Sequence, residues 1–178
     1  VKPRTITGSA FIDFPVSQTV IYPEYRDNPA ELDKIIKTID VIKNDSDVQI
    51  TSISIKGFAS PESPYDNNTR LAKGRTQALK EYVQQLYGFP SEILTTSYEP
   101  EDWEGLREYV EASALKDKEQ ILKWIDKDME PDRKEWIIKQ QYPESYRILL
   151  RDCYPALRHS DYAVQYVIRS FADVEEMK

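Results

Sequence analysis

ISIKGFASPESPYDNNTRLAKGRTQALKEYVQQL, running from Ile53 to Leu86, carries a strand-to-helix crossing. It opens on an apolar strand that stops at Gly57. A loop rich in Pro, Asp and Asn follows, from Phe58 to Asn68. From about Asn67 to Tyr87 the spacing changes to that of a helix, with Leu71, Ala78, Leu79, Tyr82, Val83 and Leu86 on one face. Gly88 stops this helix and Pro90 keeps it stopped. Polar and charged groups therefore cluster where a strand hands over to a helix. Such crossings build binding sites, because helix N-termini attract anions and loops on a rigid scaffold carry function. Arg75 follows two turns into the helix, on its buried-leaning side.

Upstream, residues 5–14 alternate weakly through Ile6, Ala10, Ile12 and Phe14 and read as a first strand, which Val20, Ile21 and Tyr22 extend or follow as a short second piece. The next helix has clear start signals: Asn28 as cap, Pro29 in the first helical position and Glu31 three residues after the cap. Leu32, Ile35, Ile36, Ile39 and Ile42 make its apolar stripe. Val48 to Gly57 is β-branched and rich in Ser and Thr, as expected of a central strand. Ile93 to Tyr98 reads as a third strand. The order β-α-β-α-β favours right-handed crossovers and parallel pairing of these three strands.

Beyond Glu99 the pattern turns helical. Helices are expected over Asp102–Ser113 and Lys118–Lys127, from Pro131 around Trp136 and Ile137, and from Pro143 to an end at Pro155. Arg158 to Phe171 reads as the last strand, with Tyr162, Val164, Tyr166 and Ile168 on one face and Val167 and Phe171 on the other. Asp173 to Lys178 reads as a frayed tail. The expected fold is a single α/β two-layer sandwich over 1–178, with a β-α-β-α-β core, a helical insertion at about 115–155 and a final strand antiparallel to at least one neighbour.

Composition narrows the function. The 24 basic and 31 acidic residues give a net charge of -7 with no basic block, so nucleic acid is a poor partner. No apolar run approaches the roughly 18 to 20 residues that span a bilayer, and Val1 reads as a mid-chain start, as in a mature or excised domain. One Cys and one His, Cys153 and His159, exclude an internal disulfide and a His/Cys metal site. Cys153 follows Leu149 and Leu150 and reads as a small buried hydrophobe. With a single His there is no Ser-His-Asp logic. There is also no Gly-rich phosphate loop and no dinucleotide fingerprint, so neither a catalytic residue nor a cofactor is expected. The acidic pairs Glu62 with Asp66 and Glu101 with Asp102 are what a chain of this charge offers by chance, not a glycosidase signature. Trp103, Trp124 and Trp136 sit beside aliphatics at helical spacing, which favours core packing over sugar stacking.

Gly57, Asn68, Leu71 and Arg75 stand at the spacings found in the C-terminal domain of the OmpA family, which this stretch resembles. The family is a peptidoglycan-associating module of Gram-negative outer-membrane proteins and lipoproteins. The resemblance covers about residues 5–100 and the last strand. Gly57 to Glu62 (Gly-Phe-Ala-Ser-Pro-Glu) and Glu101 to Leu106 look like the branch found in Bacteroidetes cell-surface proteins. The resemblance implies a non-catalytic module, periplasmic and associated with the outer membrane or cell surface, that anchors its protein to peptidoglycan. In the family an Arg and an Asp grip the diaminopimelate of the stem peptide, the Arg by forked hydrogen bonds to its carboxylate. By position the Arg is Arg75, and the Asp falls on Ser60, with Glu62 and Asp66 close enough in sequence to supply the acid. The candidate ligand-binding set is therefore Arg75, Ser60, Glu62, Asp66 and Asn68. A plainer account makes Arg75 a strut for the loop, and Asn68 and Asp66 groups that shape the helix start. On that account the OmpA-like scaffold has lost its peptidoglycan site and serves as a protein–protein module of the cell surface, with 115–155 carrying the contact.

Overall fold

A computed structural model of the protein describes residues 2–169. Its strands are β1 (Pro3–Ala10), β2 (Val48–Phe58), β3 (Leu94–Glu99) and β4 (Ser160–Ile168). Its helices are α1 (Asn28–Lys43), α2 (Tyr65–Tyr87), α3 (Trp103–Ala112), α4 (Lys118–Ile125), α5 (Pro131–Gln141), α6 (Pro143–Ile148) and α7 (Tyr154–Leu157). A 3-10 turn, Ser91–Ile93, leads into β3, and a π-helical stretch, Leu149–Cys153, joins α6 to α7. The expected mixed α/β class holds, with a β-α-β-α-β order, a helical run and a closing antiparallel strand. The chain falls into two compact units. Among the described residues the first comprises 2–57, Gly74–Ser97 and 160–169; the second comprises Phe58–Lys73 and Tyr98–His159.

The first unit is the sheet and the helical face that covers it. Leu32, Ile35, Ile39 and Ile42 of α1, with Leu79 and Val83 of α2, pack on Ala10, Ile53, Ile55, Leu94, Tyr162 and Val164. The strand order is β1-β4-β2-β3. β4 is antiparallel to β1, from Pro3↔Val167 to Ala10↔Ser160, and to β2, from Val48↔Ile168 to Gly57↔Ser160, with one register shift between Ile50 and Ser52. The expected parallel pairing of the first two strands is thus corrected: they run the same way, but the last strand lies between them. Burial explains the choice. Ser160, Tyr162 and Val164 of β4 are buried, whereas β1 is exposed over most of its length. A strand with an apolar face suits the middle, and the Ser/Thr-rich β1 suits the rim.

Three further expectations change. No strand forms at Val20–Tyr22, and the first strand ends at Ala10 rather than continuing to Phe14. The reason is Asn28, which is fully buried. Its amide donates to Asp13 O and Tyr22 O, both at 2.9 Å, and its Oδ1 accepts Asp13 N–H at 2.7 Å. The backbone of this segment is committed to a side chain and not to a strand ladder. For the same reason Asn28 is not the cap of α1, and Glu31 accepts Phe11 N–H at 2.9 Å rather than closing a capping box. Downstream, Pro155 does not end a helix. It lies in the first turn of α7, where its missing N–H costs nothing. Phe171 and the tail Asp173–Lys178 lie outside the described residues.

The second unit is helical. Leu106 and Val110 of α3, Ile121 and Ile125 of α4, Ile138 of α5, Tyr146 of α6, Leu149, Cys153, and Tyr154 and Leu157 of α7 make its core. Burial pushes the Cys153 thiol up to about 12, as expected of a packed, inert side chain. One truncation tests the core of the first unit. Ile39→Ala, at a site with no exposure, is expected to cost about 2–5 kcal/mol in urea unfolding.

Candidate functional site

Phe58 stacks on His159, with ring centroids 4.2 Å apart, and its N–H donates to His159 O at 2.9 Å. Ala59 O accepts Asp102 N–H at 3.1 Å. Ser60, only 4% exposed, accepts the Arg158 Nε–H at 3.1 Å. Arg158 Nη2 lies 2.5 Å from Glu62 Oε2. One guanidinium therefore spans the loop from its Ser to its Glu.

Asn68, the position shared with the OmpA pattern, is buried in the first turns of α2. Its Nδ2 donates to Ser63 O and to Glu101 Oε2, both at 2.7 Å. The side chain closes the loop onto the helix and delivers a donor to a buried carboxylate. Glu101 accepts a second bond from Trp103 Nε1 at 2.8 Å. Its neighbour Asp102 caps α3 by accepting Gly105 N–H at 3.0 Å, and its other oxygen lies 2.7 Å from His159 Nε2. A Cβ at Gly105 would overlap the Asp102 carboxylate, so this close approach needs a glycine. Asp66 is exposed in the first turn of α2, where its charge suits the helix N-terminus.

The same unit holds a third buried acid. Glu135 of α5 accepts the hydroxyls of Tyr146 and of Tyr154, the latter at 2.6 Å. Burial raises the pKa of Glu135; the two tyrosine bonds pull it back in part, and the negative charge of Glu101 adds to the rise. Burial likewise raises Glu101, against the bonds from Asn68 and Trp103. Lys134 is turned elsewhere: its Nζ donates to Ile125 O at 2.7 Å and lies over the Trp103 ring at 5.1 Å. Burial lowers its pKa.

Arg75 belongs to the first unit and is engaged there. Its Nε donates to Gln18 O at 3.1 Å, and its guanidinium lies over the Phe14 ring at 4.8 Å. The preceding Gly74 faces Thr19, whose methyl would lie 2.7 Å from a Cβ at that position. Together these contacts hold the segment between β1 and α1. Of the sequence-derived set, Ser60 and Glu62 share Arg158, Asn68 joins Ser63 to Glu101, and Arg75 contacts Phe14 and Gln18.

Arg158, Glu135 and the Asp102–His159 pair had no local signal in the sequence. Arg158 is 98 positions from Ser60. The one available hint was the single His, which marked His159 as unusual without naming its partner. No group of three or more His, Cys, Asp or Glu side chains able to hold a metal ion occurs among the described residues. No helix of those residues is long and apolar enough to cross a membrane.

No family model matches the sequence, and no curated protein matches it. Among solved structures the chain is similar to the periplasmic domain of Helicobacter pylori MotB, at 13% identity and a TM-score of 0.39. That match covers 97% of this chain and 87% of the other. Likeness at this level assigns no role to any residue.

Raised carboxyl pKa values set a sign for pH dependence. A carboxyl that ionises less readily when folded favours the native state most when protonated. Its contribution fades as pH climbs from the ordinary 4.5 through the raised folded value. Acids with lowered values, such as Glu31, act oppositely, so the difference between wild type and Glu135→Gln isolates the effect. That difference, followed by tryptophan fluorescence in urea, is expected to move in favour of the variant as pH rises from about 4 to about 8.

Proposed function

We propose that this chain is a non-catalytic binding module of a Gram-negative cell envelope, on an OmpA-like scaffold, working in the periplasm beside the outer membrane or at the cell surface. We further infer that its contacts are with other envelope or surface-appendage proteins rather than with the peptidoglycan stem peptide. The observation that carries this reading is the Arg158 clamp. Where the family resemblance calls for an acid, Ser60 is buried and bonded to Arg158, and the nearest acid, Glu62, is paired with the same guanidinium. A ligand ammonium brought to Glu62 meets a cation already in place, and like charges at close range are costly. The pair is partly exposed, 36% and 50% for its two side chains, so its role is to occupy the acid rather than to stabilise the fold.

The second reading keeps the peptidoglycan anchor, and Arg75 and Asn68 at the family's positions favour it. In that reading Arg75 takes a stem-peptide carboxylate and Asp66 or Glu62 takes the ammonium. Titration with diaminopimelate and with a soluble muropeptide, followed by NMR, separates the two. No binding up to about 1 mM ligand is expected, and no co-sedimentation with purified sacculi. Binding that disappears in Arg75→Ala would restore the anchor. Release of soluble fragments from sacculi would instead point to a hydrolase, and none is expected.

A further inference from the structure

The connection from α3 to α4 opens on the small residues Ser113 and Ala114, and beside it the second unit holds a cavity of about 610 Å³. Tyr109 and Ala112 of α3, Ala114 and Leu115 of the connection, and Ile148 of α6 supply its apolar wall. That volume falls in the range of small-molecule sites. Ile148 is half-buried, yet it stands outside the apolar cluster that forms the core of the unit. The chain turns from α to the wider π form directly after it, a geometry that is rare and recurs beside functional sites.

Most polar groups of the wall are committed to one another. Lys116 Nζ lies 2.6 Å from Glu144 Oε2. Ser145 is buried and donates to Asp117 Oδ2 at 2.8 Å. These two bonds tie the connection to α6, so the wall stands before any ligand arrives. Ser113 Oγ donates to Val110 O at 2.6 Å and accepts the Leu115 N–H at 3.3 Å. Among the described residues, the Tyr109 hydroxyl is the one polar side-chain group of the wall that makes no hydrogen bond. Neither charge of the wall is spare. An anion drawn to Lys116 meets Glu144, and a cation drawn to Glu144 meets Lys116.

We propose that this cavity binds an uncharged, ring-sized apolar molecule that carries one hydrogen-bonding group for the Tyr109 hydroxyl. Burial of the ring supplies the affinity. The committed charges supply the selectivity, because a charged relative gives up water and gains no counter-ion. The cavity shares no residue with the Arg158 clamp, so this site stands whether or not the stem peptide binds.

Indole is the probe, with indole-3-acetate as its anionic relative and tryptamine as its cationic one. In methyl NMR of the whole chain, indole is expected to shift the Ala112, Ala114, Leu115 and Ile148 signals, with a Kd on the order of 0.1–1 mM. The two charged relatives are expected to bind about tenfold more weakly or worse. Tyr109→Phe keeps the ring and is expected to weaken indole about threefold or more while leaving toluene binding unchanged. Ala114→Phe fills the cavity and is expected to abolish binding, with circular dichroism checking the fold. An indole titration to about 5 mM that leaves these methyls unmoved overturns the proposal. So do charged relatives that bind as tightly as indole, unchanged indole affinity in Tyr109→Phe, or wild-type affinity in a folded Ala114→Phe chain.

Discussion

Two adjacent buried carboxylates, Glu101 and Asp102, dictate how the second unit closes. An ionised acid taken out of water is tolerated only where donors replace the lost solvent. Glu101 obtains them from Asn68 and Trp103, and Asp102 from Gly105 and His159. These four donors come from α2, α3 and the residue before β4, so satisfying two side chains fixes the ends of three segments. The Asp102 N–H, bonded to Ala59 O, adds the loop after β2. Glu135, held by Tyr146 and Tyr154, repeats the device deeper in the same unit. Removing one partner from such a group leaves a buried polar atom unsatisfied, which is the costly outcome.

The first unit is governed by a simpler constraint, the need to cover one face of a four-stranded sheet. The isoleucines of α1 and the Leu79–Val83 step of α2 provide that cover. The open face is polar, with Ser9 donating to Asp161 at 2.7 Å and Ser52 to Gln165 at 2.7 Å. What remains is the long segment between β1 and α1, which has no ladder to join. Asn28 and Arg75 supply its bonds from side chains, and the positive φ of 60° at Ser17 marks the tight turn between them. Segments of this length without regular structure are uncommon unless pinned or functional.

The functional reading turns on the ownership of cations. The OmpA-like pattern, taken alone, leaves Arg75 free to clamp an anion and an acid free to take an ammonium. In the folded chain both halves have company: Arg75 meets Phe14 and Gln18, and Glu62 meets Arg158. A binding site needs unsatisfied groups presented in the right geometry, whereas groups satisfied internally build structure. That difference is why a shared motif is weaker ground for a ligand than for a scaffold.

Local pattern carried most of the architecture. The helical stripe Leu32–Ile42, the strand ending at Gly57, the amphipathic run to Gly88 and the alternation of Tyr162 and Val164 were legible because period and turn chemistry act over a few residues. Gly88, with φ of 69°, ends α2 as its type requires. The placement of β4 between β1 and β2 was not legible, since alternation tells a strand which face is buried but not which strand lies beside it. Nor was Asn28's role, because a cap and a loop clasp use the same residue type. Arg158 with Ser60, Tyr154 with Glu135 and His159 with Asp102 join residues 98, 19 and 57 positions apart. Hydrogen bonds of that reach leave no periodic trace in a chain. Period and turn chemistry thus settle most of the elements along the chain, whereas strand order and the pairing of buried charges depend on contacts between distant residues.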